Sequence, residues 1–253
     1  MKLGGPILKD YSNPEEWAEI VKENGFSAAN CPVDLNAEDK EINAYAEKAE
    51  DEGIIIAECG IWNNPLTDDR KQRKKAIQEC KNNLLLADKI GAQCCVNIAG
   101  SRGEKWDGPH PDNLTQETFD KIVEIVREII DDVNPSNTYY TLEPMPWVFP
   151  DSPDSYLDLI QAINREAFAV HLDPVNIINS PRRYYNNGEF IKECFEKLGK
   201  YIKSCHAKDS ILKDDLTTFL KEVRPGQGNL DYSLFLNELD KLDDNIPLML
   251  QHL

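Results

Sequence analysis

The chain has 253 residues, 41% hydrophobic and 29% charged, with 45 acidic against 28 basic side chains and a net charge of −17. That length suits one large domain over residues 1–253, because α/β barrels reach it undivided, and the composition suffices for a sizeable buried core. The acidity argues against a nucleic-acid or anionic-membrane surface, since phosphate groups are bound by basic footprints. The seven cysteines form no CxxC pair, and Cys31, Cys59, Cys94 and Cys95 sit in apolar runs. They read as reduced core thiols of a cytoplasmic protein, not as a disulfide framework. Residues 1–9 are too short and too Gly-rich for a signal-peptide apolar region, and no run reaches the length of a membrane span.

Residues 2–8 read as a first short strand. Asn13, Pro14, Glu15 and Glu16 then make a helix start: a capping side chain, a pre-set first position and acids at the positive end of the dipole. That helix ends near Asn24 and Gly25. A second strand is expected over 26–31, a helix over 37–52 stopped by Gly53, and a β-branched buried strand over 54–62. A long helix over 68–90, closed by Gly91, leads to a strand over 93–99. Residues 100–115 form the longest polar loop, with Trp106, His110 and three glycines. Residues 116–133 are amphipathic, with Phe119, Ile122, Val123, Val126, Ile129 and Ile130 at helical spacing. Strands over 138–143, 167–173, 202–206 and 247–253 alternate with helices over 151–164, 187–199 and 232–242.

Eight strands alternating with helices predict an α/β fold of the (β/α)8 TIM-barrel kind. A doubly wound open sheet competes, but it carries a Gly-rich phosphate loop after its first strand, and Gly4-Gly5 is not one. The pattern lacks an eighth helix. Either the chain is cut short or another element covers that face.

Four strands end in an oxygen- or nitrogen-bearing side chain: Glu143, Asp173, His206 and Gln251. Side chains alternate across a strand, so parity assigns their direction. On strand three, Ile55, Ala57, Cys59 and Ile61 are expected to face the helices, with Glu58, Gly60 and Trp62 facing the axis. On strand five Tyr140 and Leu142 face out and Glu143 in; on strand six Phe168, Val170 and Leu172 face out and Asp173 in. On strand seven Cys205 faces out and His206 in; on strand eight Leu248, Leu250 and His252 face out and Gln251 in. All four polar ends choose the barrel axis. One such group alone is an ordinary strand end, but four converging at the C-terminal face, where barrels keep their sites, make a metal-centre pattern.

The segments Leu142-Glu143-Pro144, His171 to Asn176, Cys205 to Asp209 and Pro225 to Tyr232 resemble the sugar phosphate isomerase/epimerase family, the xylose isomerase-like barrels, a group that also includes endonuclease IV. The resemblance implies one divalent metal held by Glu, Asp, His and a second Glu, here Glu143, Asp173, His206 and the strand-eight position. This chain departs there: Gln251 stands where the family usually has Glu. An amide oxygen can hold a hard cation but takes no proton at neutral pH. In two-base epimerases the paired Glu residues work on opposite faces of one carbon, so Glu143 keeps a catalytic place and Gln251 leaves the second base in question. Two carboxylates, an imidazole and an amide suit Mn²⁺ or Mg²⁺, with Zn²⁺ or Co²⁺ as further options.

Trp62 and Trp147 are candidates for an apolar wall against a sugar face. Lys208 shares the face of His206 and suits a substrate oxygen or phosphate, against the plainer alternative of an ion pair with Asp209. Asn176, Glu58 and His110 are further substrate-binding candidates, Asn97 and Arg182 lesser ones, and His171 points inward but deeper, as a structural residue. The reading favours a metal-dependent isomerase or epimerase acting on a small sugar, keto sugar or sugar phosphate through an enediolate. A lyase on an oxidised (keto) glycoside is the close variant. An abasic-site endonuclease needs a basic groove and a His-rich site, which four His and a charge of −17 do not supply. A non-catalytic sugar-binding role fits Gln251 and the missing helix. A small carbohydrate is the expected partner, nucleic acid and membrane are not, and a homo-oligomer or second subunit is open.

Overall fold

The computed structural model describes residues 1–251. Eight parallel strands close into a barrel: β1 (Lys2–Gly5), β2 (Ala28–Asn30), β3 (Ile55–Gly60), β4 (Cys94–Asn97), β5 (Tyr139–Leu142), β6 (Phe168–Leu172), β7 (Ile202–Ala207) and β10 (Pro247–Leu250). Two further strands, β8 (Asp209–Leu212) and β9 (Leu220–Val223), form an antiparallel hairpin outside the barrel. The crossover helices are α1 (Pro14–Glu23), α2 (Asp39–Glu52), α3 (Arg70–Ile90), α4 (Gln116–Val133), α5 (Pro153–Ile163), α8 (Asn187–Leu198) and α9 (Tyr232–Leu239). Two short helices, α6 (Pro174–Ile177) and α7 (Pro181–Tyr185), lie between β6 and α8. The predicted (β/α)8 barrel is the observed fold. No helix follows β10 among the described residues, and no helix among them is long and apolar enough to cross a membrane.

Local chemistry starts and stops the helices. Asn13 caps α1 by accepting the Glu16 amide, with Pro14 at its first position. Asp69 caps α3 through the amides of Lys71 and Gln72, and Gly91 ends it in the left-handed region. In α4, Ile122, Val123, Ile125, Val126, Ile129 and Ile130 are buried against the barrel. Ser152 and Ser155 form a reciprocal capping box at the start of α5. The main core lies between the strands and this helical ring, with Tyr140, Leu142, Phe168, Val170, Leu172, Cys205 and Leu248 facing the helices. Those outward directions are the ones that parity predicts.

Strand three departs from the parity reading. Ile55 and Ala57 do not join the helix-facing core; they pack with Ala28 and Met249 in a separate small cluster. The cause is a register shift: Ala29 of β2 pairs with Ile56, but Asn30 pairs with Glu58, skipping Ala57. A bulge of this kind breaks the two-residue alternation. Ala57 and Glu58 therefore both avoid the helical side, and Cys59 returns to it. Neither the two short Pro-initiated helices α6 and α7 nor the hairpin over 209–223 is among the predicted elements.

Candidate metal centre

Glu143 follows β5, Asp173 follows β6, His206 lies near the end of β7 and Gln251 follows β10. The ends of β5 and β6 are tied by Tyr156 of α5. Its buried hydroxyl donates to the Leu142 carbonyl at 2.7 Å and accepts the amides of Leu142 at 3.2 Å and His171 at 3.3 Å. One phenol thus fixes the backbone one residue before Glu143 and two before Asp173.

Ligand atoms of Glu143, Asp173 and His206 all lie within 4.8 Å of one another, and all three residues are buried. His206 Nδ1 is 3.3 Å from Glu143 Oε1 and 3.5 Å from Asp173 Oδ2. Its Nε2 points the other way, 3.3 Å from Glu58 Oε1. Lys208 Nζ lies 2.7 Å from Asp173 Oδ2 and 3.3 Å from Glu143 Oε1, and it donates to Asn176 Oδ1 at 3.2 Å. Asn176 Nδ2 donates to Glu143 Oε1 at 2.9 Å. The plainer alternative for Lys208, an ion pair with Asp209, is not what forms. Gln251 Oε1 is buried and has no hydrogen-bond partner among the described residues.

The charges sustain one another. Burial raises the pKa of Asp173, but Lys208 and His206 more than offset it and hold the carboxyl far below its ordinary range. Burial disfavours charge on Lys208, yet Asp173 and Glu143 keep its ammonium protonated well beyond the usual value. His206 is likewise opposed by burial but held well above 6.5 by Glu58 and Glu143. His171 goes the other way: burial and the adjacent His206 bring it down to about 4, so it is neutral.

The donor set fits a divalent cation. Oxygen and nitrogen ligands about 2.1 Å from one ion stand about 3.0–3.4 Å apart, close to the spacing around His206 Nδ1. Gln251 Oε1, buried and unpartnered, belongs to a residue that lines a cavity with Glu58 and His206, and an amide oxygen is a hard donor of the kind Mn²⁺ and Mg²⁺ accept. A second group, Glu58, His171 and His206, also brings its ligand atoms within 4.8 Å of one another.

A cavity of about 550 Å³ reaches Glu58, His206, Gln251 and the half-exposed Trp62, walled by Asn30, Asp34 and Leu35. Glu143 and Asp173 do not line it; Lys208 and Asn176 contact both carboxylates at the side. The other candidates are placed elsewhere. Trp147 donates its indole N–H to the Asp107 carbonyl at 2.8 Å and so pins the long loop after β4. His110 Nδ1 accepts the Asp112 amide and caps a 3-10 turn over Pro111–Leu114. Asn97 is bound behind the strand by Asn63 and Cys80. Arg182 lines a shallow groove with Arg183 and Glu189, apart from the metal-centre residues. Sequence reading missed Tyr156 and Ser204. A lone Tyr in a helix and a Ser in a strand carry no signal until packing brings them under the site.

In sequence, no curated protein matches this chain. Among solved structures it is similar to the probable 3-DHS dehydratase AsbF of Bacillus anthracis, with a TM-score of 0.73 and 17% identity over 100% of this chain and 93% of that one. It is also similar to D-psicose 3-epimerase of Clostridium cellulolyticum H10, solved with D-tagatose, at TM-score 0.70 and 17% identity over 99% and 84%. A barrel protein of Mycobacterium smegmatis in complex with magnesium gives TM-score 0.68 and 17% identity over 95% and 83%. The family described as "Xylose isomerase-like TIM barrel" matches residues 18–252. With that match across nearly its whole length, the chain belongs to the xylose isomerase-like TIM-barrel family.

Proposed function

We propose that this chain is a divalent-metal-dependent enzyme of the cytoplasm that moves a proton at the carbon next to the carbonyl of a small keto sugar or sugar phosphate, as an isomerase or epimerase. The observation that carries the reading is the convergence of Glu143, Asp173 and His206 on one point at the ends of three consecutive barrel strands. A bound Mn²⁺ or Mg²⁺ supplies Lewis-acid stabilisation of the charge that develops on the substrate carbonyl. Glu143 is the proton acceptor, oriented by the Asn176 amide and the Lys208 ammonium. Lys208 offers a positive charge to a substrate oxygen or phosphate, and Trp62 presents a flat apolar face to the sugar ring.

Gln251 favours a second form of the same chemistry. Its amide takes no proton, so the centre has one carboxylate base in place of a pair, which suits proton removal followed by loss of a leaving group from a keto glycoside. Incubation of a keto-sugar and keto-glycoside panel with Mn²⁺ in D₂O tests both. Deuterium at the substrate carbon is expected with the native chain, falling at least about 100-fold in Glu143→Gln. Exchange with Gln251→Glu but not with the native chain would support the one-base form only if a glycoside is cleaved. No exchange and no cleavage with any member, for either chain, contradicts the proposal.

A further inference from the structure

His206 has two ring nitrogens, and both are engaged. Nδ1 faces Glu143 and Asp173, while Nε2 lies 3.3 Å from Glu58 Oε1. Glu58 is 5% exposed. Its other oxygen, Oε2, is 3.4 Å from His171 Nδ1, so both carboxylate oxygens are turned toward imidazoles. His171 is in turn held by a hydrogen bond to the Ser204 hydroxyl, which meets the Cys94 thiol at 3.4 Å. Its ring stands edge-on to His206, with centroids 4.1 Å apart at 78°. Cys94, Ser204, His171, Glu58 and His206 thus form a buried chain drawn from β4, β7, β6, β3 and β7.

We propose that Glu58 is a positioning residue of the metal centre: its carboxylate accepts the Nε2–H of His206, fixes the tautomer and aims the Nδ1 lone pair at the space between Glu143 and Asp173. The inference rests on the metal-centre reading above, and it replaces the expectation that Glu58 touches substrate. A metal-binding His needs its second nitrogen anchored, because an imidazole free to rotate or to exchange tautomers presents its lone pair only part of the time. Burying a carboxylate is costly unless it is paired and hydrogen-bonded; here the His206 ring pairs Oε1, while Oε2 faces the neutral His171 without a hydrogen bond among the described residues. The bulge that skips Ala57 is what delivers Glu58 to this depth, since strict alternation from the inward Ile55 and Ala57 would have sent it under the helices.

Calorimetric titration of the full chain with Mn²⁺, after chelator treatment, tests the role. One ion per native chain is expected, with about 10- to 100-fold weaker affinity in Glu58→Ala at unchanged stoichiometry. Glu58→Asp should recover part of the loss. Near-ultraviolet circular dichroism of each variant verifies the fold, and Glu58→Gln, which keeps the shape, carries the same comparison should Glu58→Ala fail to fold. A second readout is the ¹⁵N histidine spectrum of the Mg²⁺-loaded native chain, expected to show His206 protonated at Nε2. Native affinity in Glu58→Ala, or protonation at Nδ1, overturns the positioning role alone. Two ions per native chain, reduced to one in Glu58→Ala, would make Glu58 a ligand and overturn it too. If the native chain binds no divalent ion, the metal-centre reading falls and this inference with it.

Discussion

Lys208 and Asp209 are neighbours in sequence that reach different partners. Lys208 turns to Asp173 and Glu143, whereas Asp209 accepts the amides of Ser210, Gly226, Gly228 and Leu230 at 2.8–3.0 Å. Asp209 therefore ties the β8–β9 hairpin to the Pro225-to-Tyr232 segment. Gly228 is required at that closure, for a Cβ there would lie 2.2 Å from Asp209 Oδ1 and 2.4 Å from the Ser210 carbonyl. Part of the motif that resembles the family is thus architectural. Asp209→Ala leaves up to four amides without their acceptor, each worth about 1–3 kcal/mol when buried. A loss of about 3 kcal/mol or more in urea unfolding is expected; a loss below about 1 kcal/mol would refute the anchoring role. His206 makes a second prediction. Its imidazolium persists well above pH 6.5, and Nδ1 must lose its proton to hold a metal. Mn²⁺ affinity should therefore rise with pH, by up to about tenfold per unit, until the raised pKa is passed. By the same linkage, the stability His206 gives the metal-free chain is fully present below pH 6.5 and lost as pH climbs through the raised value. Titrations from about pH 6 to about pH 8 that show no slope would contradict this.

At the scale of elements, the capping and periodicity signals carried most of the fold. Asn13-Pro14 marks the start of α1, Gly53 and Gly91 the ends of α2 and α3, and the apolar spacing of α4 its whole length. The directions of Glu143, Asp173 and His206 were legible because parity is dictated by the backbone and the residue before each, Leu142, Leu172 or Cys205, faces the helices; the register shift of β7 falls earlier, between Ile202 and Ser204. Glu58 was expected to face inward for the wrong reason: a bulge is set by the pairing of two strands, which one strand's sequence does not encode. The hairpin over β8 and β9 was illegible for a similar cause, since Asp209 closes it with backbone groups up to 21 positions away. Tyr156 shows how an element serves the site at a distance. Tyr156→Phe removes the acceptor and donor that lock the ends of β5 and β6, and about 1–3 kcal/mol of stability should go with it. Metal affinity should drop as well, because Glu143 and Asp173 follow within two residues; thermal unfolding and Mn²⁺ titration check the two effects separately.

For the molecule as a whole, all seven cysteines are free, six of them buried. Burial pushes the Cys80 thiol up to about 11 and Cys94 to about 12, so neither presents a thiolate near neutrality. Cys31 is only half-buried, and a hydrogen bond from the Cys59 thiol lowers its pKa. A thiol reagent at neutral pH should modify Cys31 rapidly in the native chain and the remaining six only after denaturation. Fast reaction of several thiols would mean that the barrel opens more readily than its packing implies. A ligand that binds only the folded chain stabilises it by mass action, about 2.7 kcal/mol at a hundredfold excess over Kd. The closed barrel and its cation-sized cluster should therefore melt together and later when Mn²⁺ is present. The most direct test of the central claim is an anomalous difference map from a crystal soaked in Mn²⁺. One peak about 2.0–2.4 Å from Glu143, Asp173, His206 Nδ1 and Gln251 Oε1 is predicted. An empty position there, or a peak that leaves out Asp173 and His206, would contradict it.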